Sequence, residues 1–420
     1  MSTQATRLPS PERAIPRSWI AALLLATGGV FAGWFGPIQI LLPAQADGLA
    51  GDGTGKEALL ALVTGIGAVA SLIANPLWGL ISDRMSLERP RRRPIVVAGT
   101  LVGVCGLVVL SLATDAAGMI LGWVIVQVGL NGPFAALIAM IADRVPAERR
   151  GMVGSLFGVA QIAGVVLGTA VAVALGEGAL GYMALAVAVP ALIIAVLVLP
   201  EQRLAAAATA AATDAEPAPA AGRGIREVLA ALRPSGAFAW AWTLRLLLNL
   251  VNALVLVYLY FYLSDGVGVD DPGTWVLVLT LVNVVITAIG AGIGGAWSDR
   301  IARRKVFVVA GAVVLATGAG VFAALPVLPA VIAATVLIGV GWGLYVSVDV
   351  AIITQVLPSD RSVGSMLGVA NIASALPQAL APLIAAPIVT SLGGYPVLYV
   401  VTGLIALLAL ACLPRLRAVA

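Results

Sequence analysis

The chain has 420 residues, 61% of them hydrophobic and 10% charged, with 24 Lys and Arg, 20 Asp and Glu and no histidine. A mean hydropathy of +1.06 excludes a soluble domain of this length, so the expected surroundings are a lipid bilayer. The net charge of +4 calls for no nucleic-acid partner, because clustered Arg is the expected anchor against an anionic leaflet. Without histidine, proton chemistry falls to a carboxylate.

Residues 1–18 are polar and broken by proline, with no small-residue cleavage site after them. They read as a cytoplasmic tail ahead of a retained first helix rather than as a signal peptide. Crossing ~30 Å of hydrocarbon takes about 20 apolar residues. Such runs fall at 19–42, 58–82, 94–114, 117–142, 152–176 and 180–199, giving a first six-helix half over 19–199. The Ala-rich, Pro-bearing stretch 200–235, with Asp214, Glu216, Arg223, Arg226 and Arg233, reads as a flexible cytoplasmic linker, with a short interfacial helix at 225–232. Six further spans, 236–263, 273–297, 306–325, 329–356, 364–391 and 394–413, make a second half over 236–413, and 414–420 is a tail. The expected fold is all-α, with twelve transmembrane helices, because lipid demands internally satisfied backbones. Cys105 and Cys412 lie in spans of different halves and read as packing residues, with neither a disulfide nor a metal site.

All basic residues except Lys56 and Arg245 fall in the termini or in loops after the second, fourth, sixth, eighth and tenth spans. Those surfaces and both termini are therefore expected to be cytoplasmic. The opposite loops carry Asp47, Asp52, Glu57, Asp115, Glu177, Asp265, Asp270 and Asp271. The excess of Arg over Lys points to a GC-rich bacterial genome, hence to a multi-pass protein of a bacterial plasma membrane.

Two phrases repeat. Gly79-Leu80-Ile81-Ser82-Asp83-Arg84 returns as Gly295-Ala296-Trp297-Ser298-Asp299-Arg300, and the stretch from Gly154 to Ala163 is answered by that from Gly364 to Ala373. Two ordered echoes mark two related halves. With the central linker and twelve spans, the Gly-x-x-x-Asp-Arg phrase resembles the major facilitator superfamily of secondary transporters over residues 19–413. The second copy matches closely through Asp299, Arg300, Arg303, Arg304 and Lys305. The first departs: Met85 to Pro90 lengthen it before Arg91-Arg92-Arg93-Pro94, a form similar to that of sucrose and related sugar:proton symporters. The Gly-Pro-x-x-Gly-Gly phrase of drug antiporters is missing, since the fifth span reads Ala163-Gly164-Val165-Val166-Leu167-Gly168.

The resemblance implies a pseudo-symmetric major facilitator fold and a cytoplasmic gate. In it Asp83 faces the helix starting near Gly364-Ser365 and Asp299 the one near Gly154-Ser155, with Arg84, Arg149, Arg300 and Arg361 beside them. A helix start, with its unpaired N–H groups, suits such carboxylates. The alternative is that these charges merely fix topology.

Two charges remain inside the spans, Arg245 in the seventh and Asp349 in the tenth. Each costs about 2.5–3.5 kcal/mol near a helix centre if unpaired. They lie ~7 Å and ~9 Å to the cytoplasmic side of their midpoints at about 1.5 Å per residue, so an ion pair is expected. The resemblance implies that helices one, four, seven and ten line the transport cavity. Arg245, Asn249 and Asn252 share one face of the seventh; Trp342, Tyr345 and Asp349 share a face of the tenth. Gln127, Asn131 and Phe134 repeat the pattern on the fourth, and Trp34 and Gln39 mark the first. Together they are candidates for a substrate pocket, with the alternative for each amide that it bonds helix to helix, the role assigned to Asn75, Asn283, Gln161 and Asn371. The repeat carries Arg245, Asn249 and Asn252 onto Gly29, Gly33 and Gly36, so the charge chemistry is expected in the second half alone.

The expected activity is alternating-access secondary transport, with a proton as coupling ion through Asp349 and uptake of a sugar, glycoside or similar small polar molecule. Export of drugs or secondary metabolites is the alternative. No nucleophile motif, metal cluster or nucleotide loop points to an enzyme, no cofactor is expected, and the chain is expected to act as a monomer.

Overall fold

The computed structural model describes residues 16–50, 55–88, 92–198, 236–301, 303–356 and 363–416. Among the described residues are 12 helices long and apolar enough to cross a membrane. The first half holds α1 (Arg17–Ala50), α2 (Lys56–Glu88), α3 (Arg93–Leu112), α4 (Ala116–Arg144), α5 (Ala147–Leu175) and α6 (Ala179–Val198). The second holds α7 (Gly236–Val257), α8 (Pro272–Ile301), α9 (Arg304–Ala324), α10 (Leu328–Gln355), α11 (Val363–Ser391) and α12 (Gly394–Arg415), the last turn of α12 being tightened from Leu410 to Arg415 around Pro414. Twelve crossings put Pro16 and Leu416, the first and last described residues, at one end of the bundle, the terminal end; the other is the distal end.

Each half packs within itself: α1 on α5 and α6, α3 on α4, and α2 on α4 in the first, with α8 and α9 on α10, α7 on α11 and α9 on α12 in the second. The α3–α4 contact depends on absent side chains, since a Cβ on Gly129 would overlap the backbone of Gly103. Close approach is also the use of Gly29, Gly33 and Gly36, where a Cβ would meet Leu192, Leu130 and the Gly168 backbone respectively. The three positions that match the polar stripe of α7 thus seat α1 against its neighbours. The halves meet through α2 with α11 and α5 with α8.

Three elements differ from the sequence expectation. The first helix runs eight residues further, through a wide π-turn at Pro37–Leu41 into Leu42–Ala50. Gln45 ties that extension to its neighbours: its Nε2 donates to the Leu110 and Ala113 carbonyls at 3.0 and 3.1 Å, and its Oε1 accepts from Tyr182 Oη at 2.8 Å. The seventh span, expected to reach 263, ends at Val257; Tyr258 leaves helical geometry, and a short turn at Leu259–Phe261 leads into a π-turn at Tyr262–Val267 that closes on Gly268 at φ 75°. Finally, the two Gly-x-x-x-Asp-Arg phrases lie on the ends of α2 and α8, not beyond them. Linker residues 200–235, including the helix expected at 225–232, lie outside the described residues.

Candidate functional site

On α7, Arg245 Nη2 lies 3.5 Å from Asp349 Oδ2 of α10, with the two side chains only 14% and 13% exposed. Tyr345, one turn before Asp349, donates its hydroxyl to Asp349 Oδ1 at 2.6 Å. Arg245 Nε donates to Ser374 Oγ of α11 at 2.8 Å, and Asn249 Nδ2 donates to the Arg245 carbonyl at 2.8 Å. The Trp242 indole N–H donates to the Val369 carbonyl at 2.9 Å, fixing α7 against α11 near the pair. Three helices of one half therefore hold the charges. Each partner lowers the free energy of its charge in lipid, where an unpaired one is costly. Ser374 gave no signal in the sequence beyond being a small hydroxyl residue on an apolar helix.

The stripe residues divide. Tyr345 is 1% exposed and orients Asp349, so it is no part of an open pocket wall. Trp342 stays half-buried and tilts against the Tyr345 ring at 5.3 Å. Asn249 and Asn252 are half-buried on α7. Asn131 is drawn into the α2–α4 contact: it accepts from Asn75 Nδ2 at 3.0 Å and donates to Ser71 Oγ at 2.9 Å and to the Gln127 carbonyl at 2.7 Å. With 1% of its surface exposed, its amide is spent between helices, while the Gln127 side chain remains half-buried.

What the first half offers instead is aromatic. Trp34 packs edge-on against Phe31 and Phe134, each at 5.5 Å, and Phe134 stacks on Phe157 at 6.3 Å. The Trp34 indole N–H is buried with no hydrogen-bond partner among the described residues. Further toward the distal end, Gln39 accepts from Thr169 Oγ1 at 2.7 Å and lines a cavity of about 140 Å³ between the halves. Asn283 of α8, expected to bond helix to helix, lines the same cavity with Thr280, whose buried hydroxyl has no partner among the described residues. The rest of that lining is mostly apolar, including Phe35, Leu279, Phe322 and Ile338.

The distal end is closed by polar contacts between the halves. Lys56 Nζ bridges Asp47 Oδ1 at 2.7 Å and Asp265 Oδ2 at 2.9 Å. Tyr395 donates toward Glu57 Oε1 at 3.0 Å and Asp265 Oδ2 at 3.2 Å, and Tyr258 Oη donates to the Glu57 carbonyl at 2.8 Å. Tyr260 Oη donates to Glu177 Oε2. The sequence marks these acids only as loop charges; their tyrosine partners carry no signal at that level.

Of the expected terminal-end gate, Arg149 and Arg300 are exposed, while the side chains of Asp83, Arg84 and Asp299 and the whole of Arg361 lie outside the described residues. Nearby, Arg92 grips Asp143 with Nε–Oδ2 and Nη2–Oδ1 distances of 2.6 and 3.2 Å, tying the start of α3 to the end of α4. Among the described residues there is no group of three metal-ligating side chains.

The family profile described as Major Facilitator Superfamily matches residues 19–382 and, in a second alignment, 271–419. The rice (Oryza sativa subsp. japonica) sucrose transport protein SUT3 is 30% identical over 107 residues, which cover 24% of this chain and 20% of that protein. The inner membrane transport protein YajR of Escherichia coli K12 is 30% identical over 132 residues, covering 30% of this chain and 28% of its own. The chain thus aligns with less than a third of either relative's length. Among solved structures, the nucleoside transporter NupG superposes with a TM-score of 0.73 at 12% identity, covering 95% of this chain and 100% of that one. A D-xylose-proton symporter superposes with a TM-score of 0.70 at 15% identity, covering 96% and 97%. At such identities these structures share the fold alone.

Proposed function

This chain belongs to the Major Facilitator Superfamily and is a membrane transporter rather than an enzyme; we propose that it is a proton-coupled carrier that takes up a sugar, glycoside or similar small polar molecule by alternating access. The observation that carries this reading is the Arg245–Asp349 pair, two charges retained inside the bilayer span and held by Tyr345 and Ser374. A charge kept in lipid at such cost is a functional-site candidate by default. Protonation of Asp349 would cancel its attraction for Arg245 and leave the guanidinium with Ser374 and a passing substrate as partners. Proton occupancy would thereby change how substrate is held.

Several features support a sugar-like cargo. The second half offers Asn249, Asn252 and Trp342 beside the pair, and the first offers an aromatic cluster with the unpartnered Trp34 indole donor. Aromatic faces stack on sugar rings while a few amides fix the hydroxyls. The local similarity to a sucrose transport protein adds to this. With the terminal end taken as cytoplasmic from its Arg-rich loops, the proposed setting is a bacterial plasma membrane, with the distal end on the outer side and the carrier acting as a monomer.

One observation favours a second reading, export of an apolar compound: the cavity between the halves is walled mainly by apolar side chains, Phe35, Leu279, Phe322 and Ile338 among them. One experiment separates the two. In proteoliposomes with a trapped pH dye, sugars added outside should evoke proton entry in wild type and none in Asp349→Asn. Responses confined to lipophilic cations would transfer support to the exporter.

A further inference from the structure

Glu177 lies in the three-residue connection between α5 and α6, where Gly176 at φ 95° turns the chain. Its carboxylate crosses to the other half. One oxygen accepts from Tyr260 Oη, in the turn after α7, and the carboxylate lies against the backbone of Gly273, in the first turn of α8. Any side chain at position 273 would strike Glu177 Oε1, so the glycine is what admits the carboxylate. The start of a helix presents unpaired N–H groups, which the carbonyl oxygen of a neutral carboxyl can meet as well as a carboxylate can. The sequence resemblance placed such an acid-to-helix contact at the terminal end; here one is seen at the distal end.

We propose that Glu177 is a proton-linked latch of the distal gate, fastening the first half onto α8 and Tyr260 of the second and holding more firmly when protonated. The proposal rests on the alternating-access reading. Two further carboxylates face the latch: Asp271, just before α8, and Asp47, on the extension of α1. Lys56, the basic residue of the distal contacts, is engaged by Asp47 and Asp265, and Asp271 accepts from the Thr274 N–H at 3.0 Å. A protonated Glu177 keeps a carbonyl oxygen for Gly273 and a hydroxyl beside Tyr260, and it sheds the repulsion of both neighbours.

The electrostatics agree with that sense. Burial, the largest effect, pushes the Glu177 carboxyl above the ordinary range; the Tyr260 hydrogen bond opposes it next, followed by the raising charge of Asp271, the lowering Gly273 backbone and the raising charge of Asp47. Once the gate opens, the carboxyl returns to water and its ordinary range. The closed state therefore binds the proton more tightly, and by linkage acid favours closure. Closure is fully favoured below the open-state value and weakens as pH rises through the raised closed-state value.

The test reads gate geometry rather than transport. Spin labels at Leu112→Cys, on the distal end of α3, and Leu325→Cys, on the distal end of α9, both exposed, report the distance between halves in lipid nanodiscs once Cys105→Ser and Cys412→Ala remove the native thiols. Wild type should shift toward longer distances as pH is raised from acid to mildly alkaline. Glu177→Gln should flatten that response, and Gly273→Ala should lengthen the distance at every pH by expelling the carboxylate. A Glu177→Gln protein that keeps the wild-type pH response overturns the latch, as does a wild-type distance indifferent to pH. A pH-responsive distance lost in Glu177→Gln supports the latch even where no tested solute is transported, so failure of the transport reading would be seen separately.

Discussion

Tyr345 and Asp349, one helical turn apart on α10, are joined by a 2.6 Å hydrogen bond whose donor is itself almost wholly buried. The carboxylate therefore has two fixed contacts, this hydroxyl and the Arg245 guanidinium. Tyr345→Phe should keep the packing and free one carboxylate oxygen. We expect substrate-evoked proton uptake in proteoliposomes to fall severalfold with thermal stability nearly unchanged; an unaltered rate would remove Tyr345 from the coupling site.

Breaking the ion pair from one side should be worse than removing it altogether. A lone Arg245→Met leaves Asp349 without its cation, and losing one partner of a buried pair typically costs about 3–5 kcal/mol. Arg245→Met combined with Asp349→Leu should recover much of that loss, because neither charge then remains in lipid. Thermal unfolding of the purified proteins in detergent decides the matter: equal damage in single and double variants would mean that the pair does not compensate itself.

Asn131 and Asn252 should part company under substitution. Asn131 bonds to Asn75, Ser71 and its own helix, so Asn131→Ala should reduce stability, each such bond being worth about 0.6 kcal/mol. Substrate affinity should stay unchanged. Asn252→Ala should do the reverse. Thermal shift and substrate-protection assays, run on both, would expose an error in either assignment.

Asp271 supplies a pH control for the latch. Its carboxylate is exposed and held below the ordinary range chiefly by the Thr274 hydroxyl and backbone N–H. A lowered value means that its contribution is present above the ordinary carboxylate range and disappears as pH falls through the lowered value. Asp271→Ala should therefore loosen the start of α8 near neutral pH, with faster amide exchange there, and should differ little from wild type in strong acid. Its pH trend runs opposite to that expected of Glu177.

Gly129 tests the tightness of the first half. The Cβ of Gly129→Val already overlaps the Gly103 backbone, and overpacking of this kind commonly costs about 1–3 kcal/mol. A fall in melting temperature without any change in substrate specificity is expected.

Much of the fold was legible because lipid imposes one rule on every span: an apolar run of sufficient length must be a helix. The charged pair was legible for the same reason, since Arg245 and Asp349 stand out against hydrocarbon. The break at Tyr258 was not, because Tyr258, Tyr260 and Tyr262 look like a continued apolar run; only their hydroxyl partners, Glu57, Glu177 and the Phe322 carbonyl, explain why the helix stops there. Asn131 and Asn252 look alike as residues on a helix face, and only the neighbouring helix separates them. Arg92, read with its neighbours as part of a basic loop, has a specific task in gripping Asp143.

Arg245, Asn249, Tyr345, Asp349 and Ser374 all belong to one half, and no hydrogen bond among them reaches the other. On the transport reading, the rocking that exchanges access would leave this circuit intact, so Asp349 could titrate without any contact between the halves being broken, unlike Glu177. A hybrid that borrows α1–α6 from a related carrier would keep the Asp349 circuit of this chain while it lost the Glu177 latch and its range of cargo was redrawn.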